Sequence, residues 1–62
     1  MASVFQKLKA AAAAAGVIWS SGTTSDSEAI EHVKNVLKYD DRKRIEAQLR
    51  SNGHTDLARK IN

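Results

Sequence analysis

Bulk is the scarce quantity in this chain. Beyond Met1, the large apolar side chains are Val4, Phe5, Leu8, Val17, Ile18, Trp19, Ile30, Val33, Val36, Leu37, Tyr39, Ile45, Leu49, Leu57 and Ile61, and these must close any core. Alanines supply much of the rest of the 42% hydrophobic content, and an alanine adds little buried area. Burial returns roughly 25 cal/mol per Å², and ordering costs about 1.5 kcal/mol per residue, so the balance lies close to zero. A chain of 62 residues makes one domain, residues 1–62, and buries only about 60% of its unfolded surface. That excludes most folds that build an enzyme pocket from several layers.

Small domains usually escape this shortage through disulfides, a metal, self-association or well-packed helices. The chain has no cysteine, so disulfides and thiolate metal sites are absent. Nothing points to an oxidising compartment, and the expected location is cytoplasmic. Two histidines are too few for a structural metal. What remains is helix packing, association with a second copy, or a partner that completes the core.

Helical signals dominate. Ser3 followed by Gln6 fits a capping box, and Ala10 to Ala15 have the best helix propensity available. The stripes Val4, Leu8, Ala11, Ala15, Ile18 and Phe5, Leu8, Ala12, Ala15, Trp19 form one broad face with bulky ends and a shallow middle. A first helix is therefore expected over about 3–19, with Gly16 weakening its last turn by ~1 kcal/mol. Residues 20–26 read as a loop. Ser25 with Glu28 fits a second capping box, opening a helix over about 26–39 whose inner face carries Ile30, Val33 and Leu37, with Val36 beside them. Asp40 or Asp41 can cap a third helix over about 41–52, where Glu46 and Arg50 stand four apart in the better orientation for a pair. The second and third could also be one kinked helix. Asn52-Gly53 is a strong stop, and Thr55 can cap a short helix over about 56–61. No strand pattern competes. The expected architecture is all-α: a small bundle of three helices plus a short C-terminal fourth. Its core is Phe5, Leu8, Ile18, Ile30, Val33, Leu37, Ile45, Leu49, Leu57 and Ile61.

The basic residues Arg42, Lys43 and Arg44, with Lys34, Lys38 and Arg50 nearby, could neutralise phosphates. Acids are interleaved with them, however. From Asp26 onward there are eight bases and seven acids, so a solvated helical face explains them more simply. A helix-turn-helix over Arg44 to Asn62 fits poorly, because Leu49 stands where a tight turn wants a small residue. Lys7 and Lys9 ahead of Ala10 to Trp19 imitate a signal layout. The ten residues that follow are too few for a span of about 20, so membrane attachment is not expected. His32 with Glu28, and His54 with Asp56, lack the third ligand that a metal site needs. There is no nucleophile elbow and no phosphate-cradling glycine loop.

The expectation is a non-enzyme that needs no cofactor and no metal: a small regulatory or adaptor protein that binds another protein, itself, or both. Its candidate contacts are Phe5, Leu8, Ala12, Ala15 and Trp19, tryptophan being over-represented at interface hot spots. The alternative is a small nucleic-acid-binding protein using Lys34, Lys38, Arg42, Lys43, Arg44 and Arg50.

Overall fold

The alanine run forms a helix that stops earlier than propensity alone demands. A computed structural model describes residues 3–19 and 25–62. The described residues hold four helices and no strand: α1 (Val4–Ala14), α2 (Asp26–Asn35), α3 (Tyr39–Ser51) and α4 (Thr55–Ile61). This is the expected all-α bundle. Residues 20–24 of the expected loop lie outside the described residues.

At the start of α1 the Gln6 amide donates to Ser3 Oγ (3.2 Å), and the Ser3 amide donates to Gln6 Oε1 (3.3 Å). The box is complete. The first turn of α1 has no acid of its own, and Asp26 supplies one from α2. The Phe5 amide donates to Asp26 Oδ1 at 3.2 Å, across 21 residues of sequence. Asp26 also lies in the first turn of α2, so one carboxylate serves the positive ends of two helices.

The helix expected over 3–19 ends at Ala14. Gly16 takes φ +75, the Gly16 amide donates to Ala13 O (3.2 Å), and the Val17 amide donates to Ala12 O (2.8 Å). This is a Schellman closure, and glycine adopts its left-handed residue without a Cβ penalty. The helical phase is lost there, which corrects the core as read from periodicity. Ile18 is 85% exposed and Val17 is buried in its place. Gly53 (φ +80) ends α3 the same way, its amide reaching Arg50 O at 3.1 Å and the His54 amide reaching Leu49 O at 2.8 Å.

Two other boundaries differ from expectation. The second helix stops at Asn35 rather than near Tyr39, because Lys38 is extended (φ −65, ψ 155) and serves as N-cap of α3. Asp40 and Asp41 therefore sit inside the first turn of α3 and act on its dipole rather than capping it. Likewise His54, not Thr55, precedes the first turn of α4. His54 closes α3 and opens α4 at once, leaving no spare residue for a threonine cap. At the start of α2 the serine half of the expected box is present, Ser25 Oγ accepting from the Glu28 amide at 3.3 Å.

The four helices pack as a ring in the order α1, α2, α4, α3, each lying mainly against its two neighbours. Thus α3 and α4 form a hairpin through Gly53, whereas α2 and α3 are separate helices on a diagonal despite their short link. The radius of gyration is 10.0 Å, against about 10.6 Å for a compact chain of this length. The core consists of Leu8, Ala11, Ala12 and Val17, then Ala29 and Val33, then Ile45 and Leu49, then Leu57, Ala58 and Ile61. Phe5, Ile30 and Leu37, expected inside, are partly buried against its edge. Small residues at Ala11, Ala12, Ala29 and Ala58 let the helices approach closely, so few bulky groups are enough.

Candidate protein-binding face

The stripe proposed from sequence as a contact surface is largely spent on the fold. Leu8 and Ala12 are fully buried in the core, and Phe5, Ala15 and Trp19 pack partly against it. Leu8 and Ala12 are therefore not open to a partner of the folded chain. After Gly16 the chain carries Trp19 back against the start of α1, where its ring meets Phe5 edge-on at 6.1 Å. On its other side Trp19 lies 4.9 Å from the His32 ring of α2. Trp19 thus wedges α1 against α2. Its indole Nε1 is buried and has no hydrogen-bond partner among the described residues.

The basic candidates are also engaged. Arg42 Nη1 donates to the Lys34 carbonyl in the last turn of α2 (3.2 Å). Its guanidinium lies 5.5 Å from the Tyr39 ring. This side chain closes one helix from another. Glu46, 8% exposed, accepts from Lys43 Nζ at 3.3 Å and from Arg50 Nη2 at 3.1 Å. The Glu46–Arg50 pair was legible from spacing, and Lys43 joins it from the opposite side. Lys43 also donates to Asn62 Oδ1 (2.8 Å), tying α3 to the end of α4. Arg44 is loosely paired with Asp41 at 3.9 Å. Of the six basic candidates, Lys34 and Lys38 are exposed and enter no ion pair among the described residues.

A face that periodicity undervalued is the outer side of α2. Glu28, His32 and Val36 recur every four residues, with Ser27, Glu31 and Asn35 beside them. Among the described residues, these six line an open, mostly apolar groove of about 410 Å³. Val36 is 66% exposed. The Glu31 carboxylate accepts from Asn35 Nδ2 at 2.6 Å, and neither Glu28 nor Glu31 has a cationic partner among the described residues. The groove thus combines one aliphatic side chain, Val36, with two carboxylates that have no cationic partner among the described residues. The spacing of Glu28, His32 and Val36 was the available signal for this face, but Val36 read there as a residue beside the core.

Among the described residues no three metal-ligating side chains converge, and no helix is long and apolar enough to cross a membrane. No family model, no curated protein and no solved structure matches the chain.

Proposed function

We propose that the chain is a small regulatory or adaptor protein that acts by binding another protein through the outer face of α2. The partner is a segment that forms an amphipathic helix with a cationic edge. The observation that carries this reading is the groove on the outer side of α2, where Val36 is exposed and Glu28 and Glu31 have no cationic partner among the described residues. The exposure of Ile18 and Tyr39, 85% and 62%, adds apolar surface without itself defining a site, since single exposed apolar residues are ordinary. The nucleic-acid alternative has less support, because Arg42, Lys43 and Arg50 are engaged by backbone or carboxylate groups.

The test is a titration of isotopically labelled protein, followed by amide shifts, with two designed amphipathic peptides that share an apolar face but carry lysine or glutamate edges. The lysine peptide should shift Glu28, Glu31, His32 and Val36 saturably, and the glutamate peptide should not. Equal response to both peptides, or shifts centred on α1 or α4, would remove the assignment.

A further inference from the structure

We infer that a second cleft, between the start of α1 and the α3–α4 turn, is a binding site for a small phosphoryl anion. The cleft has a volume of about 280 Å³, and Val4 and Leu57 are the bulky apolar residues of its lining. Lys7 of α1 and Lys60 of α4 both line it, together with His54 and Thr55 from the turn. Lys7 lies far in sequence from the other three and joins them in one cleft only through the fold. The +3 net charge of the chain is distributed unevenly with respect to pairing. The α3 bases Lys43, Arg44 and Arg50 each have a carboxylate within 4.0 Å, whereas Lys7 and Lys60 have none among the described residues.

Asp56 is the one carboxylate of the cleft lining, set against two ammonium groups. The site is therefore net cationic. Its lining residues come from two helices and from the turn. A tetrahedral oxyanion offers acceptor oxygens in several directions at once, whereas a planar carboxylate has only two. The cleft is too small for a large ligand, which selects inorganic phosphate or the phosphate group of a small ester. The assignment is independent of the α2 face.

The experiment is a titration of the labelled chain with sodium phosphate at constant ionic strength, with chloride as the control and vesicles of anionic lipid as a separate arm. Saturable shifts at Lys7, His54, Thr55 and Lys60 are expected, with a dissociation constant in the millimolar range. Lys7→Gln and Lys60→Gln should each weaken binding at least fivefold and Asp56→Asn should tighten it, while Lys34→Gln should change nothing. These exposed or half-buried positions leave the core intact, and an unchanged melting temperature verifies that. Non-saturating shifts, an equal loss in Lys34→Gln, or vesicle binding without phosphate binding would each overturn the assignment.

Discussion

Replacing Gly16 by alanine separates two physical pictures of the first helix by the sign of the effect. In the structure Gly16 has φ +75, and a Cβ built there meets nothing within 4 Å. The cost is therefore conformational and not steric. A left-handed L-residue costs roughly 1–2 kcal/mol, and alanine returns about 0.4–1 kcal/mol by restricting the unfolded chain. The net loss is about 1 kcal/mol, a fall of roughly 4–8 °C in melting temperature for a domain of this size. Had the helix continued to Trp19, the same substitution would remove a mid-helix glycine and stabilise by about 1 kcal/mol. Urea unfolding followed by far-ultraviolet circular dichroism measures the difference, with the slope unchanged if only stability moves. Gly16→Asn should lose less, since asparagine tolerates the left-handed region better. A Gly16→Ala variant more stable than the parent would refute the Schellman closure and the exposure of Ile18 with it.

Further outcomes follow from particular contacts. Asp26→Ala removes an acceptor and a charge from the ends of two helices and should cost about 1–2 kcal/mol, with Asp26→Asn recovering part of it. Hydrogen exchange at the Phe5 amide should accelerate in the alanine variant. Leu8 is fully buried, so Leu8→Ala should cost about 2–5 kcal/mol. Against a total of about 3–9 kcal/mol for a chain this long, a loss at the upper end abolishes the cooperative melting transition. Glu46→Gln breaks both ion pairs of a nearly buried carboxylate and should cost about 0.5–1 kcal/mol. Unfolding at low and high salt checks this, because the loss should shrink as salt rises.

The all-α class and the main core were legible because leucine and isoleucine recur at helical spacing in Leu8, Ile45, Leu49, Leu57 and Ile61. The Ser3 and Ser25 caps and the Asn52-Gly53 stop were legible because each rests on local chemistry. What failed was phase. Gly16 was read as a weak spot inside a helix, although the same residue in the left-handed region terminates it, and Ile18 and Val17 exchanged roles as a result. The Lys38 N-cap was hidden because neither Lys38 nor Tyr39 carries a capping side chain, while the two aspartates that follow do. Long-range pairings left no local trace. Asp26 reaching the first turn of α1, Arg42 closing α2, and Lys7 sharing a cleft with Lys60 all depend on how the helices pack. Of the contact stripe proposed from sequence, Leu8 and Ala12 are turned into the core, and Phe5, Ala15 and Trp19 stay partly exposed at its edge.

Val36→Lys tests the working surface most directly. Lysine suits the C-terminal end of α2, where a cation is favoured by the helix dipole, so the fold should hold and the melting temperature should stay within the parent's range. On the binding face it removes an exposed aliphatic contact and faces a cationic partner with like charge. The affinity for the lysine-edged peptide should fall at least tenfold, about 1.4 kcal/mol. Binding that survives this substitution in a folded protein would contradict the assignment of the α2 face.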